Sequence, residues 1–193
     1  MAGRRFSQAI SEGDGISLLA RVEDADSARE AAAQGAEAVV AYGAMQGIRD
    51  ATDLPILWSG AISEALNAGA DACVVVLEDH VDEDGRLEAL HTEATELGLD
   101  VVVEVRNEEE LALALELLDP EIFLLSGPGN EDDGPLGPAL ELLPDVPAGK
   151  LAVADVPVAA REQVDELERA GVDAVIVAAG HVADLVGDTP PPV

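Results

Sequence analysis

Apolar residues along this chain fall into eight short runs, most of them unbroken instead of alternating with polar residues. They are "ISLLARV" (16–22), "AEAVVAY" (36–42), "LPILW" (54–58), "DACVVVL" (71–77), "DVVVEV" (100–105), "EIFLLS" (121–126), "KLAVAD" (150–155) and "DAVIVAA" (173–179). Near-continuous Val/Ile runs predict strands covered on both faces, and therefore a parallel sheet. Helical patterns fill the gaps, among them "DSAREAAAQ" (26–34), "EEELALALELL" (108–118) and "AAREQVDELERA" (159–170). Eight such units are the number that closes a barrel.

Four junctions repeat one pattern: "AQGAEAVVAY", "NAGADACVVVL", "ELGLDVVVEV" and "RAGVDAVIVAA". In each, a glycine (Gly35, Gly69, Gly98 or Gly171) is placed to end a helix in the left-handed conformation, and an acid two residues later starts the turn into a strand. The fold class expected is α/β, a minimal (β/α)8 TIM barrel over residues 1–186, with a flexible Pro-rich tail at 187–193. At 193 residues the chain has roughly 24 per unit, where a typical barrel uses about 250 in all. The loops therefore have little length to spare. An open doubly wound sheet is the alternative; it requires that 36–42 and 121–126 are not strands. The Gly-, Pro- and acid-rich stretch 126–144 is expected to be the longest loop, with a short helix inside it.

Charge narrows the function classes. Forty acids stand against ten bases, a net charge of −30, and Lys150 is the one lysine. The acids are spread along the whole chain, which reads as adaptation to a salty cytoplasm of the halophilic kind. Molar salt shortens the Debye length to about 3 Å and screens the self-repulsion. So negative a surface excludes nucleic acid and anionic membranes as partners. No apolar run approaches the ~20 residues of a membrane span. The first fifteen residues carry two arginines with no apolar stretch behind them, so no signal peptide is expected and the chain is assigned to the cytoplasm. Cys73, the single cysteine, reads as a small buried hydrophobe. No cofactor or resident metal is expected.

One residue breaks the apolar pattern. In "VVVEVRNEEE" (101–110), Glu104 sits inside a valine run. With period two, Val102, Glu104 and Arg106 share one face and Val101, Val103 and Val105 the other. The all-valine face suits the helix layer, so Glu104 is expected to point into the barrel near its carboxyl-terminal rim, where barrel active sites lie. It is either a group tuned for proton transfer or half of a structural ion pair with Arg106 or Arg21.

Three stretches resemble indole-3-glycerol-phosphate synthase, a barrel lyase of tryptophan biosynthesis: "RRFSQAISEGDGISLLARV", "LGLDVVVEVRNEEEL" and "LAVADVPVAAREQVDELERAGVDAVIVAAGHVADL". The resemblance implies a ring closure with loss of carbon dioxide and water from a phosphorylated anthranilate derivative. It also implies lysines as acid and electrostatic partner, a glutamate base, and a phosphate pocket at the last strands. Carried over by position, Arg21 and Glu23 stand where the family has Glu-x-Lys, and Ser59 falls near the catalytic lysine. Glu104 matches the glutamate, and Ser126 lies near the asparagine ending strand six. Asp155, Val156 and Pro157 replace the Glu-Ser-Gly of strand seven, and Gly180 remains of the Gly-rich turn after strand eight. The loop after strand one is cut to "EDADS" (23–27).

The candidate catalytic residues are thus Glu104, Asp155, Glu23 and Arg21, and the candidate ligand-binding residues Trp58, Ser59, Arg106, Ser126 and Gly180. Trp58 is expected at the mouth, either stacking on a flat ligand or plugging the barrel. Carboxylates can act as bases, but arginines hold their protons too tightly to serve as general acids. An acid-rich rim also disfavours a phosphorylated, carboxylated substrate. The expected function is a divergent, loop-trimmed member without the parent activity: a small-molecule binder, a partner subunit or one copy of a homo-oligomer. Two alternatives stay open. One is a genuine synthase with a rearranged site; the other is a metal-dependent lyase using Glu78, Asp79, His80, Glu104, Asp155 and His181.

Overall fold

A computed structural model describes residues 6–12, 15–43, 47–77, 85–128 and 134–186. Eight parallel strands close in sequence order into a barrel: β1 (Ser17–Val22), β2 (Ala38–Tyr42), β3 (Ile56–Ser59), β4 (Ala72–Val76), β5 (Asp100–Val105), β6 (Ile122–Leu125), β7 (Leu151–Ala154) and β8 (Ala174–Ala178). The (β/α)8 expectation holds, and closure through the β8–β1 ladder removes the open doubly wound sheet. Strand three is displaced from its expected place: it runs Ile56–Ser59, so Ser59 and not Trp58 is its last residue.

The helices are α1 (Phe6–Ser11), α2 (Ala25–Gln34), α3 (Ile48–Ala51), α4 (Ile62–Ala65), α5 (Arg86–Glu96), α6 (Glu108–Leu117), α7 (Gly137–Leu142), α8 (Arg161–Ala170) and α9 (Val182–Leu185). Where most connections carry ten or eleven residues of helix, α3 and α4 are single turns of four. The first connection is shorter than expected, because residues 25–27 already belong to α2. Asp24 caps that helix by accepting from the Ser27 N–H at 2.8 Å, which leaves Glu23 and Asp24 alone between strand and helix. The short helix expected within 126–144 is α7. The tail 187–193 lies outside the described residues.

Strict alternation sorts the side chains into two cores. Leu19, Val40, Leu57, Val74, Val102, Leu124, Val153 and Ile176 fill the barrel interior. Phe6 and Ile10 of α1 join them, so this helix closes the amino-terminal end, with the Ser7 N–H donating to Asp100 Oδ2 at 2.9 Å. The intervening residues, including Val101, Val103 and Val105, pack outward against the helices, as the valine run implied. Cys73 is fully buried in that outer layer, and burial pushes its thiol up to about 12.

The Gly-x-acid junctions do more than turn the chain. All four glycines have positive φ, from 69° to 102°. Asp71 N–H donates to the Ile56 carbonyl (3.0 Å) while its Oδ2 accepts from the Ile56 N–H (2.9 Å). Asp173 repeats this two-point clasp on Ala152, at 2.9 and 2.7 Å. Each clasp satisfies the N–H and carbonyl that Ile56 and Ala152 turn away from their ladder partners Val39 and Phe123.

Candidate active site

Extending each strand's inward alternation by one step beyond the apolar interior gives the lining of the carboxyl-terminal mouth. These positions are Arg21, Tyr42, Ser59, Val76, Glu104, Ser126, Asp155 and Ala178. Polar groups therefore collect at one end of a barrel whose middle is aliphatic. Water is excluded from below by the packed interior, and the mouth faces solvent from above.

Two clusters form within this lining. In the first, Ser126 Oγ donates to Glu104 Oε1 at 2.7 Å, and Arg106 Nε donates to the same oxygen at 3.3 Å. Glu104 and Ser126 are largely buried, their neighbours being Val102 and Leu124 of the apolar interior. The Arg106 N–H is fixed by Glu110 Oε2 at 2.8 Å, and Asn107 caps α6 through the Glu110 N–H. The turn after β6 closes on the same place: a Cβ at Gly127 (φ 151°) would stand 3.1 Å from the Arg106 carbonyl oxygen. Only glycine fits this approach without displacing the chain.

In the second cluster, Arg21 Nη2 donates to Asp155 Oδ1 at 2.6 Å, and its guanidinium carbon lies 5.3 Å from the centre of the Tyr42 ring. Burial alone would lower the Arg21 pKa; attraction to Asp155 and to Tyr42 outweighs it, and the net shift is upward. Burial pushes the Tyr42 phenol above its usual value, Asp155 adds to the rise, and Arg21 opposes it. Tyr42 therefore stands at the mouth as a neutral hydroxyl.

Of the residues singled out from sequence, Arg21, Glu104, Arg106, Ser126 and Asp155 come together at the mouth in two ion-paired groups. Glu23 is exposed on the first connection, with its backbone N–H bound to Ser27 Oγ. Gly180 is exposed in a 3-10 turn after β8. Ser59 is half-buried and lines a cleft of about 480 Å³ between β3, β4, α4 and α5. Trp58 requires correction. Because β3 ends one residue later than expected, its indole points outward, 1% exposed in the helix-facing core, with Nε1 donating to the Ala61 carbonyl at 3.1 Å. It neither plugs the mouth nor can stack on a ligand there.

Tyr42, the one tyrosine, was not singled out by motif or resemblance; its place at the end of β2, two residues after the inward Val40, was the available signal. Glu78, Asp79 and His80 lie outside the described residues. Among the described residues no three metal-ligating side chains gather, and His181 is an exposed residue opening α9. Lys150 immediately precedes β7 at the opposite end, its Nζ donating to Asp119 Oδ1 at 2.7 Å.

Comparison with known proteins follows the same lines. Residues 42–182 match a family model described as indole-3-glycerol phosphate synthase. A relative of that name from Nocardioides sp. is 34% identical over 195 residues, covering 90% of this chain and 71% of its own. One from Variovorax paradoxus is 33% identical over 135 residues, covering 67% of this chain. There, and in a relative from Acidithiobacillus ferrooxidans at 32% identity, the chain spans about half the relative's length (50% and 51%). Among solved structures, a thiamine phosphate pyrophosphorylase from Pyrococcus furiosus superposes with a TM-score of 0.62 at 19% identity, over 88% of this chain and 90% of that one. A mandelate oxidase mutant gives 0.60 at 13% identity, over 86% and 66%. At such identities the likeness concerns the fold alone.

Proposed function

The chain belongs to the indole-3-glycerol phosphate synthase family, and we propose that within it this is a trimmed member that has given up the ring-closing decarboxylation and keeps its mouth as a small-molecule binding site. The observation that carries this reading is where the cations are. Arg21 is held by Asp155 and Arg106 by Glu104, and the one lysine is bound to Asp119 at the other end of the barrel. A phosphorylated, carboxylated substrate would have to displace an internal carboxylate from each arginine while Glu23 and Asp24 stand nearby. The relatives from Variovorax paradoxus and Acidithiobacillus ferrooxidans are about twice the length matched here, and this chain's first strand-to-helix loop is two residues long. What remains suits a compact ligand bearing hydroxyl or amine groups. Tyr42 and the serines can donate to it, and Glu104 and Asp155 can accept.

One observation favours a second reading, a working synthase with rearranged groups. Tyr42, Arg21 and Glu104 together supply a hydroxyl proton, a fixed cation and a carboxylate base at one mouth.

A single assay separates the two. The chain, purified in molar salt, is given the family's anthranilate-derived ribulose phosphate substrate, and indole fluorescence is followed. No turnover above background is expected. Turnover at an ordinary enzymatic rate, abolished by Tyr42→Phe or Glu104→Gln, would establish the second reading and overturn the first.

A further inference from the structure

The strand ladders of this barrel are unequal. Most run for four or five residue pairs, as from Ala72–Asp100 to Val76–Glu104 between β4 and β5. Two are shorter: β3 meets β4 at Leu57–Ala72 and Trp58–Cys73, and β7 meets β8 at Val153–Ala174 and Ala154–Val175. These short ladders lie four strands apart. They divide the barrel into one half made of β8, β1, β2 and β3, and another made of β4, β5, β6 and β7. At both seams the same device stands at the amino-terminal edge, the Asp71 clasp on Ile56 and the Asp173 clasp on Ala152.

Above their clasps the two seams differ. The β7/β8 seam is covered by the ten-residue α8, and at the mouth Arg21 of β1 reaches past β8 to Asp155 beyond β7. The β3/β4 seam is covered by the four-residue α4, and the cleft lined by Ser59, Gly60, Val74, Val75 and Val76 opens where its ladder stops. Among the described residues, one seam is pinned at both ends and the other at its base.

We propose that the β3/β4 seam is a gate in the barrel wall: the two half-barrels part there above the Asp71 clasp, turning about the latched β7/β8 seam. Each half carries part of the mouth, Arg21, Tyr42 and Ser59 on one, Glu104, Ser126 and Asp155 on the other. Parting the β3/β4 seam therefore separates Tyr42 and Ser59 from Glu104, and widens the site from the side. The gate is a property of the ladder pattern and stands whether or not the mouth is catalytic.

The chain carries its own reporter. Cys73 faces Trp58 at the last paired position of the seam and is fully buried. Labelling it with a small neutral thiosulfonate in molar salt, with increasing urea, reads the opening directly. Expected is modification under native conditions with little urea dependence, about tenfold faster than a thiol at Val103→Cys in a Cys73→Ala background, where ladders bind both sides. Asp71→Ala, which removes the clasp carboxylate, should speed Cys73 labelling by about another order of magnitude, since opening then frees a seam with no pinned end. If Cys73 reacts only at the global unfolding rate with the full urea dependence of unfolding, or if Asp71→Ala leaves its rate unchanged, the gate is overturned. The urea dependence needs only the unaltered chain, so the test survives a variant that does not fold.

Discussion

Lys150 and Asp119 are ion-paired across 2.7 Å at the amino-terminal end of the barrel, and the same amine donates to the Asp119 carbonyl at 3.2 Å. Asp119 is the one non-glycine residue with positive φ (43°) among the described residues, and it follows the last turn of α6. The lysine thus steadies a left-handed turn at the base of β6 and β7 and takes no part in the mouth. Lys150→Met should cost about 0.5–1 kcal/mol in urea unfolding at fixed salt, because the carboxylate partner is well exposed. Ligand binding at the mouth should be unchanged. A loss of binding with no loss of stability would place the amine in the site after all.

Ser126 matters to the other end. It is 8% exposed and donates to Glu104 Oε1 at 2.7 Å, so Ser126→Ala removes a donor from a largely buried carboxylate. The expected loss is about 1–2 kcal/mol in urea unfolding. Ser126→Thr, which keeps the hydroxyl, should recover part of it. If both variants are as stable as the parent, the Ser126 hydroxyl does not hold the Glu104 carboxylate.

How much of this was legible beforehand depended on what each residue's position rests on. Glu104 was readable because a carboxylate in a valine run leaves one face free, and period two then fixes its direction. The helix-ending glycines were readable because their φ is a local property. Trp58 was misplaced by a boundary: with period two, taking the strand to end one residue early exchanges inside for outside. The Arg21–Asp155 pair joins residues 134 apart, and no local pattern announces it. The Asp clasps were half-read, since the acid's place after the glycine shows in the chain but its sideways reach to another strand does not.

Tyr42 can be followed by itself, because the chain has no other tyrosine. Burial and Asp155 raise its pKa while Arg21 lowers it. Asp155→Asn removes one raising charge and releases Arg21 toward the phenolate, and both changes push the same way. Ultraviolet titration should show Tyr42 ionising above its ordinary value in the parent and at lower pH in Asp155→Asn. An unmoved titration would mean that Asp155 and Tyr42 do not share the mouth.

Net charge sets the conditions for every such measurement. At −30 over 193 residues, self-repulsion opposes the compact state when the Debye length is about 10 Å, near 0.1 M salt, and fades at molar salt. Circular dichroism should show the urea midpoint rising with potassium chloride, with partial unfolding on dialysis to low salt. A midpoint independent of salt would leave the acidic surface without this explanation.

Asp173 gives the opposite pH response from a paired surface carboxylate. Its pKa is raised by burial, and the hydrogen bond from the Ala152 N–H offsets only part of the rise. The folded state therefore holds this proton to higher pH than the unfolded chain does. The penalty of the buried charge is fully present above the folded pKa and is relieved as pH falls toward the ordinary carboxylate value, so this group adds stability on mild acidification. Asp24, whose pKa is lowered by hydrogen bonds from Ser27, acts in the reverse sense and loses its contribution in acid. Asp173→Asn keeps an acceptor for the Ala152 N–H and removes the charge. The variant should be at least as stable as the parent at pH 7, and its stability should gain less between pH 7 and pH 5 than the parent's. Urea unfolding at the two pH values in fixed salt measures both. If Asp173→Asn is destabilised at neutral pH and its pH dependence matches the parent's, the clasp works through its charge and not through its place as an acceptor.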